Sequence, residues 1–151
     1  MTDITGIDHI YLAVREPARS EAFYDRLMPA LGFRKNEFVL GGERHVQYYN
    51  RHFGLVLRPA RNNPPPHDPY APGLHHLCLR VEHSEDVDAV AARLRALGIE
   101  TSVPQSYPDY APDYYALFLE DPDGIRLEIT NYRAERRERF EHWDPPAENT
   151  P

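Results

Sequence analysis

The sequence predicts an α+β chain built from two copies of one strand–helix–strands unit, and three observations carry that expectation. "HIYLAV" (His9–Val14) returns as "HLCLRV" (His76–Val81), a shift of 67 positions. "FYDRLMPALGF" (Phe23–Phe33) returns as "VAARLRALGI" (Val90–Ile99), with Gly32 and Gly98 separated by 66. "FGLVLR" (Phe53–Arg58) returns as "DGIRLEI" (Asp123–Ile129), with Gly54 and Gly124 separated by 70. Three landmarks in one order at nearly one spacing mark an internal duplication, which has to be recognised before any fold is assigned.

Each unit opens on a strand of period two, ending at Val14 and at Val81. In the first unit Pro17 suits the first helical turn. Phe23, Leu27 and Leu31 form an apolar stripe, and Gly32 is placed to cap the C-terminus. Pro29 should distort the last turn, because it has no N–H to give. In the second unit Ser84 is the expected N-cap. Val87, Val90, Leu94 and Leu97 form the stripe, and Gly98 closes it. Short β runs follow each helix: "HVQYYN" (His45–Asn50) and "GLVLR" (Gly54–Arg58), then "YYALFLE" (Tyr114–Glu120) and "IRLEIT" (Ile125–Thr130). "DPDG" (Asp121–Gly124) reads as a type I turn joining the last pair. The units are expected at 4–58 and 74–132, with a proline-rich linker at 59–73 that can be neither helix nor central strand. Residues 133–151 read as a short charged helix whose Phe140 and Trp143 pack back on the body or on a partner, followed by a frayed end, "DPPAENTP".

The 151 residues fit one domain or two small fused modules, and a 41% hydrophobic content permits a real core. The formal net charge of −7, with no basic patch interleaved with aromatics, argues against a nucleic-acid partner. One cysteine, Cys78, excludes an internal disulfide and a multi-cysteine zinc site; it reads as a small buried filler. "MTDITGIDHI" has no charged-then-apolar leader, and no run approaches ~18 apolar residues. A cytoplasmic protein without membrane contact is the expectation.

Strand alternation assigns faces. Ile10, Leu12 and Val14 should meet their helix, as should Leu77, Leu79 and Val81. His9, Tyr11 and Ala13 then share the opposite face in the first unit, and His76, Cys78 and Arg80 in the second. His75 points to the helix side, at an edge. In the last strand Leu127 and Ile129 face the helix, so Glu128 turns away. Pairing across a four-residue DPDG turn sets Leu117 opposite Glu128, with Tyr115 on the same side. Two imidazoles and a carboxylate, His9, His76 and Glu128, form a ligand set for a divalent metal with positions left open for substrate. A Tyr115 phenol beside Glu128 would be placed to donate a proton. Tyr11 and Tyr49 on the β runs are candidate substrate contacts, and "VPQSYPDYAPDYY" (Val103–Tyr115) reads as a stiffened loop over the mouth of the site.

"DHIYLAV", "SEAFYDRLMPALGF", "HHLCLRV", "VAARLRALGI" and "DPDGIRLEI" together resemble the vicinal oxygen chelate superfamily over residues 4–132. That superfamily includes glyoxalase I, extradiol dioxygenases, methylmalonyl-CoA epimerase, fosfomycin-resistance thiol transferases and bleomycin-resistance proteins. The resemblance implies two tandem βαβββ modules forming cupped mixed sheets, with a metal in the cup held by His9, His76 and Glu128. It implies a divalent ion (Fe, Mn, Ni or Zn), a small oxygen-chelating substrate and a homodimer. In swapped dimers of the superfamily, the first histidine comes from one chain and the other two ligands from its partner. Many members carry a fourth ligand on the last strand of the first module. Matching Gly54 to Gly124 puts Arg58 there, and a guanidinium has no lone pair to give. A three-ligand set fits thiol transferases and dioxygenases better than glyoxalase I, and Arg58 becomes a candidate clamp for an anionic substrate group. The expected function is thus a metal-dependent enzyme of dioxygenase, isomerase/lyase or thiol-transferase type. The alternative is a metal-free binding dimer of the bleomycin-resistance kind.

Overall fold

The computed structural model describes residues 3–144; the expected frayed end, from residue 145 onward, lies outside them. The element order is β1 (His9–Val14), α1 (Pro17–Ala30), β2 (Arg34–Leu40), β3 (Glu43–Tyr49), β4 (Gly54–Pro59), β5 (Leu77–Val81), α2 (Ser84–Ala96), β6 (Gln105–Ser106), β7 (Tyr115–Glu120), β8 (Arg126–Asn131) and α3 (Ala134–Glu141). Two four-stranded mixed sheets result, ordered β1-β4-β3-β2 and β5-β8-β7-β6. In each, the first strand of the module runs parallel to the last, and the remaining pairs are antiparallel. The fold is the glyoxalase/dioxygenase-like α+β arrangement of two βαβββ modules.

The duplication extends to the helix ends. The Phe33 N–H reaches the Met28 carbonyl and the Gly32 N–H that of Pro29; Ile99 and Gly98 bond Leu94 and Arg95 in the same way. Both are Schellman closures, and both need a left-handed residue, which Gly32 (φ 83°) and Gly98 (φ 69°) supply. Pro29 sits in the last turn, where few helical hydrogen bonds remain to be lost, so α1 carries it to Ala30. At the start of α2 the cap is His83 rather than Ser84, and the Asp86 carboxylate accepts the His83 N–H at 2.8 Å.

β2 and β6 have little periodicity to announce them. "RKNEFVL" is exposed along most of its length and is recruited by pairing with β3. β6 is a two-residue strand inside the expected loop.

One continuous core runs through both modules. It joins Leu12, Val14, Leu55 and Leu57 with α1 residues Tyr24, Leu27 and Met28, and continues through α2 residues Val87, Ala91 and Leu94 to Leu117, Leu127 and Ile129. The modules are also tied by polar bonds: Tyr24 donates to Asp121 at 2.9 Å, the Arg15 N–H to Asp123 at 2.8 Å, and Arg93 to the Ala30 carbonyl at 2.8 Å. Burial, with its cost to a charged carboxylate, pushes the Asp121 pKa up even though two backbone N–H groups and Tyr24 bond to it. The linker lies against this junction through the His67 N–H on the Asp123 carbonyl. In α3 no side chain is buried. Phe140 and Trp143, expected to pack on the body or on a partner, do not pack on the body: they are 81% and 54% exposed, and the helix is held by Arg137 on Glu82. No helix among the described residues is long and apolar enough to cross a membrane.

Candidate metal centre

The outward face of the second sheet gathers around a buried carboxylate. Glu128 is 3% exposed and sits opposite Cys78 on β5 and Phe118 on β7. A carboxylate taken out of water has to be paired. Tyr114 donates its phenol to Oε1, and His76 Nε2 stands 3.3 Å from Oε2. Burial and then the Glu128 bond push the Tyr114 pKa up, so the phenol keeps its proton and remains a donor. The loop expected over the mouth folds as an aromatic collar. Tyr107 and Tyr110 stack with centroids 5.4 Å apart, Tyr107 meets Phe118 edge-on, and Tyr110 meets Tyr114. Cys78 reaches the surface instead of filling the core, since its strand turns that face outward. The protein around its thiol, then the Glu128 charge, push its pKa up to about 12.

The tyrosine beside Glu128 is therefore Tyr114 and not Tyr115. The β7–β8 hairpin closes with a five-residue turn in which the Asp121 N–H bonds the Ile125 carbonyl, and Glu120 pairs with Arg126. The expected Leu117–Glu128 pair is displaced to Phe118–Glu128, and a slip of one residue exchanges the two faces of a strand. Tyr115 goes to the helix side, where its hydroxyl donates to Asp88 of α2. The apolar alternation carried the signal: Leu117 and Leu119 belong to the core with Leu127 and Ile129.

The first sheet offers His9 on its outward face, exposed, with Nδ1 2.6 Å from the Asp8 carboxylate. The Tyr11 ring lies edge-on to both His9 and His45, and His45 stacks on Phe38. His45 is 2% exposed and its Nδ1 bonds the Glu43 carbonyl at 2.9 Å, at the start of the run His45–Asn50 that the sequence reads as β. Beyond His9 lies an open polar cavity of about 350 Å³ with Asn36, Gln47 and Tyr49 in its walls. A Cβ at Gly54 would come within 2.9 Å of the Gln47 amide, at the flexible end of that side chain.

Arg58 is not the counterpart of Glu128. β1 pairs His9 with Gly54 and Tyr11 with Val56, while β5 pairs Cys78, two residues past His76, with Glu128. The position equivalent to Glu128 is thus Val56, and the glycine alignment is two residues out of register. Val56 has no donor atom, so His9 is left as the first module's one candidate ligand of the expected set. Arg58 is ion-paired with Glu43, which Arg61 also binds. The Arg61 hydrogen bond, aided by the Arg58 charge, holds the Glu43 pKa below the usual carboxylate range.

His76 and Glu128 fit a cation. Two ligand atoms about 2.1 Å from one ion at cis angles stand roughly 3.0–3.4 Å apart, and their observed separation is 3.3 Å. Imidazole plus carboxylate is also a suitable donor set. His9 does not join them within one chain: among the described residues no three His, Cys, Asp or Glu side chains come together at metal-binding distance.

Known proteins share this fold. YqjT of Bacillus subtilis is 28% identical over 124 residues, covering 80% of this chain and 94% of its own. The crystal structure of a glyoxylase/bleomycin resistance protein/dioxygenase domain from Frankia sp. EAN1pec superposes with a TM-score of 0.71 at 24% identity, over 87% of this chain and 100% of that one. A mutant of the fosfomycin resistance protein FosX from Listeria monocytogenes, complexed with Mn(II) and 1S,2S-dihydroxypropylphosphonic acid, superposes at 0.63 with 18% identity, over 89% and 98%. Residues 6–129 match the profile of the Glyoxalase/Bleomycin resistance protein/Dioxygenase superfamily, and by that match the chain belongs to it.

Proposed function

We propose that two copies of this chain assemble a divalent-metal site, His9 coming from one and His76 with Glu128 from the other, and that the assembly is an enzyme acting on a small oxygen-chelating substrate. The observation that carries this reading is the half-built ligand set. One chain presents His76 and Glu128 at a separation suited to a shared cation, on a buried carboxylate, and presents His9 apart from them. Symmetric pairing of two chains completes two such sites at once.

A divalent ion held there would supply Lewis acidity and open coordination positions. The chain's own groups do the rest. Tyr114 holds Glu128 through Oε1 and leaves Oε2 turned toward His76. The tyrosine collar of residues 107–114 stands beside Glu128, with Tyr110 edge-on to Tyr114. From the first module Tyr11 and Tyr49 offer ring faces and hydroxyls to the substrate. Arg58 serves to hold Glu43 and contributes only through a substrate anion able to compete for it.

The test is complementation between two inactive variants. His9→Ala and Glu128→Ala proteins should each bind no Mn(II) when pure. Unfolded together and refolded, they should recover about one quarter of the wild-type sites, because half the dimers are mixed and each mixed dimer has one intact site. Recovery of none, with wild-type protein binding metal, would place all ligands in one chain. Absence of metal from wild-type protein purified without chelator would leave the metal-free binding dimer as the reading.

A further inference from the structure

We propose that Asp8 and His75 are paired positioning residues, each fixing the imidazole that follows it so that Nε2 presents a lone pair to a cation. This rests on the metal reading above. The two residues occupy the same place in the duplicated unit, immediately before His9 and His76. The Asp8 Oδ2 lies 2.6 Å from His9 Nδ1, and His75 Nδ1 lies 2.8 Å from His76 Nδ1. Neither has other side-chain hydrogen-bonding work among the described residues: Asp8 pairs only with His9, and His75 otherwise meets only the edge of the Tyr70 ring. Both are exposed. Their conserved geometry across two modules, with different chemistry in each, is not accounted for by packing.

The two arrangements differ in what they permit. A carboxylate only accepts, so His9 keeps its proton on Nδ1 and its lone pair on Nε2. An imidazole donates or accepts. In the chain without metal, a proton on His76 Nε2 satisfies Glu128 Oε2, and His75 Nδ1–H donates to His76 Nδ1. A cation between Nε2 and Oε2 needs the other tautomer. His76 then carries its proton on Nδ1 and donates it to His75 Nδ1, while His75 takes a proton at its own Nε2 as His76 releases one from Nε2. Both rings stay neutral and no net proton is exchanged. His75 thereby keeps His76 held in both states, which explains the adjacent pair: one imidazole ligates and the other sets its tautomer. Loss of such an outer partner typically weakens metal binding about 10- to 100-fold.

The probes are Mn(II) and Zn(II), titrated into full-length protein against a chromogenic chelator. Asp8→Ala and His75→Ala should each raise the dissociation constant about 10- to 100-fold. Asp8→Asn and His75→Gln should bind within a few fold of wild type, since an amide accepts a hydrogen bond at the same place. Long-range ¹H–¹⁵N spectra of the metal-free protein should show His9 as the Nδ1–H tautomer, and that signature should vanish in Asp8→Ala. Thermal melts without metal should be unchanged in all four, which separates positioning from folding. Alanine variants that bind as tightly as wild type overturn the proposal while leaving the metal reading standing. Wild-type protein that binds neither ion overturns both.

Discussion

On their helix-facing sides the two sheets are near copies, and on the opposite sides they have diverged. Inside, Leu12 and Val14 answer Leu79 and Val81, Leu55 and Leu57 answer Leu127 and Ile129, and both helices close on the same glycine cap. Outside, matched positions read His9 and His76, then Val56 and Glu128, then Arg58 and Thr130. The inner faces answer to a shared core, where volume and polarity allow few alternatives. The outer faces carry the residues of the proposed site, and there the modules differ: the second presents a carboxylate and the first only an imidazole. A duplicated fold can thus keep its architecture by repetition while building chemistry from non-equivalent halves.

Equivalence of the inner faces has a direct consequence for stability. Leu27 of α1 and Leu94 of α2 are each 1% exposed or less in one continuous core. Truncation of either to alanine should cost about 2–5 kcal/mol. Because the core is shared, either variant should melt in a single cooperative transition in both near- and far-ultraviolet circular dichroism. Two separated transitions would show that the modules fold independently and that the likeness of their inner faces is only one of ancestry.

Divergence of the outer faces is tested by the carboxylate. Glu128→Gln should weaken Mn(II) binding by more than the roughly 100-fold that an outer partner costs, about 2.7 kcal/mol or more. Val56→Ala at the equivalent position of the first module should leave affinity within a few fold. Equal losses at the two positions would mean that the halves are not specialised. Arg58→Ala belongs with Val56→Ala, since its guanidinium is engaged by Glu43.

The modules also tie helix to sheet differently. In the first, Glu21 of α1 accepts Arg44 of β3 and Lys35 of β2, and the Arg44 bond, aided by Lys35, lowers its pKa to about 2. A carboxyl held below its unfolded value near 4.5 stabilises the fold above that value and loses the contribution as pH falls toward 2. Glu21→Gln should therefore cost about 1–2 kcal/mol at pH 7, after allowance for partial solvent screening. In urea unfolding the gap to wild type should narrow between pH 4.5 and pH 2. A gap independent of pH would make the interaction steric rather than ionic.

How far the sequence revealed all this follows from the same division. Core faces and the glycine closures of both helices were legible, because apolar periodicity and glycine position are local and were written twice. His9, His76 and Glu128 were placed on the outward faces by alternation alone. Two errors came from counting across turns. "DPDG" was counted as a four-residue turn, but Asp121 draws Ile125 into it through the Asp123 and Ile125 N–H groups, so the register moved by one and Tyr115 changed places with Tyr114. Gly54 was equated with Gly124, yet one begins a strand and the other lies in a turn, so Arg58 was matched to a position that Val56 occupies. The burial of His45 between the Tyr11 and Phe38 rings was not legible, because Phe38 meets it across a strand pair that the sequence barely announces.

The register itself gives the smallest and most discriminating test. Tyr115 and Tyr114 are neighbours in sequence and face opposite sides of β7. The Tyr115 hydroxyl donates to Asp88 on the helix side near solvent, and that bond raises its pKa. A hydrogen bond so placed contributes on the order of 0.5–1.5 kcal/mol. Tyr115→Phe should therefore lower stability by about 0.5 kcal/mol, at the bottom of that range, and leave Mn(II) affinity unchanged. Tyr114→Phe takes the donor from Glu128 Oε1 and should weaken Mn(II) binding about 10-fold, as loss of an outer partner does. The two variants differ by one position in the chain and nothing in composition, so only the five-residue turn separates their outcomes. Were Tyr115→Phe to weaken metal binding and Tyr114→Phe to spare it, the four-residue turn would be restored and the faces of β7 exchanged.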